Sequence, residues 1–165
     1  MARKQGVASI GLPECHCLAL RQAARQATRL YDHVLAPSGL RTTQFSILAR
    51  LHHLGPMAIN NLADALALDR TTLGRNILPL ERGGLIRASR KGADRRSKEV
   101  HVTPAGMARL KTAAQLWREA QTRFEGALGA PRLSALRALL DELSLAAPRS
   151  PARRAQIRQN SPVRS

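Results

Sequence analysis

The chain has 165 residues, enough for one domain with a buried core, and 44% of them are apolar, as in a globular protein. Aromatic residues make up only 2%, so the core must be built from Leu and Ala, which favours helices over sheets. Lys+Arg 27 against Asp+Glu 11 gives a formal net charge of +16 and a pI near 11.7, a field that attracts polyanions. No stretch approaches the roughly 18 apolar residues of a membrane span, and MARKQGVASIGLPE at the start lacks the apolar run of a signal peptide. The chain is therefore expected to be cytoplasmic, with no membrane partner.

In chain order, residues 1–12 read as a disordered basic N-terminus. Pro13-Glu14 opens a long helix that runs to about Ala36, with Cys17, Leu20, Ala24, Ala27, Tyr31 and Val34 as its apolar stripe. Pro37-Ser38-Gly39 ends it. Thr42 or Thr43 caps a second helix carrying Phe45, Leu48, Leu51 and Leu54, closed by Gly55-Pro56. The next stretch, LADALALDRTTLGRNILPLERGGLI, reads as two short helices joined by a tight turn. Leu62, Ala63 and Leu66 give the first an apolar face, and Leu68 seals the turn. Leu73, Ile77 and Leu80 give the second a stripe at i, i+4, i+7. Asp69 stands where an N-cap belongs, and Pro79 removes one backbone donor near the far end. On the face opposite the stripe lie Thr71 and Arg75, flanked by Arg70 and Thr72, with Asn76 following. Hydroxyls and guanidiniums near a helix N-terminus are what a major-groove reader needs, so this segment reads as a helix-turn-helix with a recognition helix.

Gly83-Gly84 ends that helix, and 85–90 and 98–103 read as two short strands. The loop between them is cationic, so the pair forms a hairpin whose position after a helix-turn-helix makes it a wing. Arg90, Lys91 and Lys98 are its candidate phosphate contacts. Thr103-Pro104 starts another long helix to about Leu128, with Ala105, Leu110, Ala114, Trp117, Phe124 and Leu128 as candidate buried positions. Gly129-Ala130-Pro131 breaks it, and a last helix over 133–145 is apolar at Leu136, Leu139, Leu140 and Leu143. These flanking helices carry more apolar stripe than a compact winged helix of ~70–90 residues could cover, which argues for a dimer. From Pro148 to Ser165 there are five Arg and no acidic residue, which reads as a disordered basic tail.

The order of elements, with Leu62-Ala63-x-x-Leu66, Asp69-Arg70-Thr71-Thr72-Leu73, Leu80-Glu81-Arg82-Gly83-Gly84-Leu85-Ile86, Asp94-Arg95-Arg96 and Val102-Thr103-Pro104-Ala105-Gly106, resembles the MarR family of bacterial winged helix-turn-helix transcriptional regulators. The resemblance covers about Glu14 to Leu145. It implies a mainly α fold with a small β-hairpin wing, in which a winged helix over about 43–103 is flanked by dimerisation helices over about 13–36 and 104–147. The family-like domain is thus 13–147, with tails 1–12 and 148–165. It further implies a homodimer on double-stranded DNA, a repressor at a pseudo-palindromic operator, associated with the nucleoid when bound. The recognition helix would enter the major groove, and the wing arginine the minor groove. In the wing, Asp94 would brace the loop and Arg96 would enter the groove, with Arg95 between them. A narrow minor groove concentrates the negative potential that a guanidinium occupies.

Cys15-His16-Cys17 admits three readings. Cys17 is a small apolar residue on the stripe of the first helix. Alternatively, the segment binds a metal, although two thiols and one imidazole fall short of a tetrahedral site and no metal is assigned. Or it is a redox switch: the segment from Cys17 to Tyr31, fourteen residues on, is similar to the peroxide-sensing segment of the organic hydroperoxide resistance regulators in this family. A second tyrosine of that pattern is Arg21 here, and a cation one turn from Cys17 favours its thiolate. The other expected signal is a small-molecule effector, for which Arg21, Arg25, Tyr31, His52, His53 and Trp117 are candidate lining.

The competing function is a non-specific basic nucleic-acid-binding protein of the RNA-binding or architectural kind. A single-strand RNA binder wants exposed stacking aromatics, whereas Tyr31, Phe45, Trp117 and Phe124 all fall on apolar helix stripes. There is no Gly-rich phosphate loop, nucleophile elbow or carboxylate cluster, so the sequence reads as neither an enzyme nor the carrier of a cofactor.

Overall fold

The computed structural model describes residues 15–90 and 98–146. Six helices surround a small antiparallel sheet: α1 (His16–Leu35), α2 (Thr42–Leu54), β1 (Met57–Ala58), α3 (Ile59–Ala65), α4 (Arg70–Arg82), β2 (Ile86–Arg90), β3 (Lys98–Val102), α5 (Pro104–Leu128) and α6 (Ala130–Ala146). This is a winged helix-turn-helix with long helices on either side. Pro13-Glu14, both tails and the wing tip at 91–97 lie outside the described residues.

The chain departs from its sequence reading first at α1. Cys15, not Pro13-Glu14, is the residue at its N-cap, with Sγ accepting from the Leu18 N–H at 3.4 Å. Much of the predicted stripe of α1 is uncovered in the single chain: Cys17 and Ala24 are exposed and Leu20 is 41% exposed, while Val34 and Leu35 are buried. The stripe is apolar as expected, but only its last turns meet the body of the winged helix. A 3-10 turn at Ala36–Ser38 and Gly39 at φ +72° then reverse the chain.

The start of α2 is secured from a distance. Its N-cap is Arg41, whose own N–H donates to Gln44 Oε1 at 2.9 Å, rather than either threonine. The cap is supplied by α1: Asp32 Oδ1 accepts from the Thr42 N–H and the Thr42 hydroxyl, both at 2.7 Å, and Oδ2 accepts from the Arg41 guanidinium at 3.3 Å. Burial raises the pKa of Asp32, but these hydrogen bonds outweigh it and hold the carboxyl below the usual aspartate value of 3.8. A depressed pKa in the folded state means that the carboxylate's stabilisation is complete above 3.8 and is lost as pH falls through the lower folded value. The urea midpoint of the wild type should therefore fall more steeply between about pH 5 and about pH 3 than that of Asp32→Asn. Parallel declines would show that the tie contributes nothing.

The core lies where α2, α3, α4 and the sheet meet the first half of α5. Leu35, Ile47, Leu48, Leu62, Leu73, Leu80 and Val100 are its fully buried side chains. Leu54, placed on the α2 stripe by its spacing, is 52% exposed because α2 ends there and the chain turns away at Gly55. Phe45 stacks on Trp117 with ring centroids 5.9 Å apart, joining α2 to α5.

The sheet runs in the order β1-β3-β2. β2 and β3 form the expected hairpin, with Ile86 opposite Val102 and Arg90 opposite Lys98. β1 has no counterpart in the sequence reading. Two residues, with Met57 opposite Val100 and Ala58 opposite Glu99, take up the free edge of β3 just before the helix-turn-helix. They anchor it to the wing.

α5 starts as predicted. Thr103 is its N-cap: Oγ1 accepts from the Gly106 N–H at 3.0 Å and donates to the Gly84 carbonyl at 2.6 Å. Ala105 is exposed rather than buried, and it is Gly106 that faces the protein. A Cβ at Gly106 would lie 2.0 Å from the carbonyl oxygen of Leu85, so only a bare backbone lets α5 meet β2. Gly106→Ala should destabilise the fold by about 1–3 kcal/mol, read as a lower melting temperature. An unchanged melting temperature would mean that the contact relaxes freely.

Candidate nucleic-acid interface

α4 is built to present one face. Leu73, Ile77 and Leu80 hold it against the core, and Asp69 caps it. Asp69 Oδ1 accepts from the Thr72 N–H at 2.8 Å and Oδ2 from the Thr72 hydroxyl at 2.6 Å. The hydroxyl bond first, then the backbone one, keeps the Asp69 carboxyl below its usual range, so the cap stays ionised against the positive end of the helix dipole. α4 continues through Pro79 to Arg82, and its end is closed by the Gly84 N–H on the Glu81 carbonyl at 3.0 Å and the Leu85 N–H on the Leu80 carbonyl at 2.9 Å. Gly84, at φ +66°, makes that closure sterically cheap.

The five residues placed on the recognition helix divide into two groups. Arg70, Thr71 and Arg75 are exposed. Thr72 and Asn76 are half-buried with their donors engaged, Thr72 on Asp69 and Asn76 Nδ2 on the Thr72 carbonyl at 2.9 Å. Thr72 and Asn76 therefore brace the helix, while Arg70, Thr71 and Arg75 remain free to reach outward. Leu78, which the sequence reading passed over, is 45% exposed on the same side, one turn beyond Gly74. Its place at i+7 from Thr71 was the available signal.

In the wing, the backbones of Arg90 and Lys98 pair at the loop end of the hairpin. This brings them to the base of the tip, whereas Lys91, Asp94, Arg95 and Arg96 lie outside the described residues. On the outer face of the sheet, Ser89 Oγ and His101 Nε2 approach to 2.7 Å.

The cysteines sit at the start of α1, Cys15 half-buried and Cys17 exposed. Cys17 is thus not part of the core, contrary to the simplest of its three readings, because the described residues leave it exposed on the first turn of α1. Tyr31 lies far along the same helix, and its hydroxyl donates to Gln121 Oε1 of α5. Burial first, and then the charge of Glu125, push its phenol pKa up against the opposing pull of Arg137, so the hydroxyl keeps its proton. Among the described residues no group of three or more His, Cys, Asp or Glu side chains is placed to hold a metal ion.

A cavity of about 290 Å³ opens between α1, α5 and α6, with Tyr31, Phe124, Glu125, Leu136, Arg137 and Asp141 in its wall. Of the candidate effector residues only Tyr31 lines it. Arg21 is exposed on α1, His52 and His53 are exposed at the end of α2, and Trp117 is half-buried against Phe45. These residues belong to different parts of the fold, and no local pattern could have found a cavity whose walls stand 90 residues apart, as Tyr31 and Gln121 do.

α6 leaves Leu139, Leu140 and Leu143 exposed by 62%, 42% and 51%. With half-buried Leu136 they form a stripe at i, i+3, i+4, i+7 that is left largely uncovered by the described residues. Among the described residues no helix is long and apolar enough to cross a membrane.

Comparison with known proteins agrees with this architecture. The model of the MarR family matches residues 40–98, from the end of the turn after α1 to the start of β3. The chain is 33% identical over 84 residues to the HTH-type transcriptional regulator YwoH of Bacillus subtilis, a match that spans 51% of this chain and 61% of that regulator's length. It is 36% identical to the crystal structure of the M. tuberculosis transcriptional regulator MosR, at a TM-score of 0.70, covering 81% of this chain and 98% of that one. The structure of MosR in complex with DNA is 40% identical over the same shares, 81% and 98%, at a TM-score of 0.69. With its capped α4, its hairpin wing and its flanking helices, the chain belongs to the MarR family of DNA-binding transcription regulators.

Proposed function

We propose that this regulator acts as a homodimeric repressor on a pseudo-palindromic duplex, with α4 of each subunit in the major groove and each wing at the adjacent minor groove. The observation that carries this reading is the exposed Arg70-Thr71 pair and Arg75 on a helix whose opposite face is locked into the core. Rigid presentation matters, because a base contact needs its donors aimed before the partner arrives. Arg70 and Arg75 are long enough to reach bases or phosphates, and Thr71 sits in the first turn, where a recognition helix meets base edges. Arg90, Lys91, Arg95, Arg96 and Lys98 supply charge along the wing, with Asp94 steadying its tip. The dimer is formed by α1, α5 and α6, and it covers the exposed Leu20 of α1 and Leu139, Leu140 and Leu143 of α6. A two-fold axis then sets the two α4 helices about one helical turn of DNA apart, roughly 34–36 Å.

The signal that releases DNA acts through these same helices. Oxidation is the reading favoured by Cys15 and Cys17 at the start of α1, where Cys17 is exposed to an oxidant. The thiolate sulfur attacks the peroxide O–O bond, forming a sulfenic acid and releasing alcohol or water. A thiol of the partner subunit then attacks that sulfur, closing a disulfide and releasing water. A small-molecule effector in the cavity beside Tyr31 is the second reading, supported by its aromatic and charged walls.

A random-sequence duplex pool, selected with the reduced protein and again after peroxide, tests the whole scheme. Two inverted half-sites that are bound reduced and lost on oxidation are expected. Recovery of no preferred sequence would remove the operator reading, and unchanged affinity after peroxide would remove the switch.

A further inference from the structure

A glycine inside a helix weakens it relative to alanine, since more freedom is lost on folding and no side chain shields the backbone. At Gly106 the fold itself explains the glycine. Gly74 has no such reason. It stands in the middle of α4, exposed and without positive φ, and a Cβ there would meet nothing within 4 Å. Gly126 of α5 shares that open space, but it lies three residues before the turn at Gly129 and far from α4. Gly74 is ringed by the groups that point outward from α4. Arg70 is one turn before it, Thr71 three residues before it, and Arg75 next to it, all exposed. Leu78, one turn after it, is a 45% exposed apolar side chain. The bare Cα and Leu78 thus make an apolar depression between cations.

We infer that Gly74 is a specificity-determining position, where the α4 backbone closes on the C5-methyl group of a thymine in the major groove, with Leu78 as the second wall. This rests on the proposed reading of α4 as the recognition helix. The thymine methyl is the one apolar group that a base pair shows in that groove, so an apolar hollow beside guanidiniums fits thymine and no other base. A Cβ would add one bond length, ~1.5 Å, to the helix surface at this point, far more than packed atoms tolerate. The glycine is therefore costly to the free protein and useful only in the complex.

The test measures Gly74→Ala against the wild type on the duplex that the wild type selects and on a scrambled duplex of equal length, at one salt concentration. The variant should melt about 2–4 °C higher, yet bind the selected duplex at least ~10-fold more weakly and the scrambled one within about twofold. Deoxyuridine in place of one thymine per half-site should weaken the wild type about fourfold for each methyl removed, and should not weaken Gly74→Ala further. Undiminished affinity of Gly74→Ala would overturn the inference. So would a lower melting temperature, which would reveal a need within the fold, or an equal loss on both duplexes, which would put sugar-phosphate against the glycine. Thr71→Ala and Arg75→Ala separate the two levels. If they also bind normally, the reading of α4 fails; if they lose affinity while Gly74→Ala does not, only the role of Gly74 fails.

Discussion

Replacing Leu139 and Leu143 together with glutamate is expected to leave each chain folded and to turn the regulator into a monomer that no longer holds its selected duplex. Both leucines are mostly exposed in the single chain, so their loss removes no core contact. In the proposed dimer, four such side chains are covered, two from each subunit, each worth about 1.5–3 kcal/mol on full burial. Even half of the lower total, ~3 kcal/mol, raises the dissociation constant of the dimer about 150-fold, before the desolvation of four carboxylates is counted. DNA affinity falls with it, because a monomer holds one half-site where the dimer holds two linked ones. Sedimentation should show one chain per particle, with a helical circular dichroism spectrum close to that of the wild type. A variant that remains a dimer would move the interface away from α6.

Arg75→Ala carries the second large effect. Arg75 is exposed on the face of α4 opposite Leu73, Ile77 and Leu80, and alanine favours helix, so stability should hold or rise slightly. A bidentate arginine–guanine contact is worth ~1–3 kcal/mol, so each half-site should lose between about fivefold and about 150-fold. Two further readings reveal what the guanidinium touches. If it reads a base, the variant should relax its preference at one position of each half-site; if it holds a phosphate, affinity should fall on all sequences and the salt slope should shrink by ~1 per subunit. Wild-type affinity on every duplex would exclude Arg75 from the interface.

These two variants lie at opposite ends of what a sequence can convey. The spacing of Leu73, Ile77 and Leu80 declares which side of α4 is inward, and so which side carries Arg75, because a 3.6-residue repeat depends on nothing outside the helix. The leucines of α6 are equally periodic, but periodicity says only that a face is apolar and not what covers it. The stripe of α1 carries the same ambiguity: spacing put Cys17 and Leu20 among buried positions, while the fold leaves both uncovered in the single chain. Among the site residues, Thr72 and Asn76 were expected on the recognition helix as DNA contacts beside Thr71 and Arg75. Only the hydrogen bonds to Asp69 and within the first turns of α4 set them apart.

Local chemistry, then, was enough for the parts whose causes are local. Asp69 and Thr103 cap α4 and α5, Gly83-Gly84 closes α4, and the Val100 and Val102 alternation makes a strand, since each needs only neighbours a few residues away. Tertiary structure alone decided the two-residue β1, which exists because β3 offers it an edge, and the cap that Asp32 of α1 lends to α2. It also decided that Gly106 is required by Leu85, while a Cβ at Gly74 would meet nothing within 4 Å among the described residues. The physical reason is the same throughout: a backbone group can be satisfied, or a face covered, by any residue that folding brings near, and chain distance does not say which one arrives.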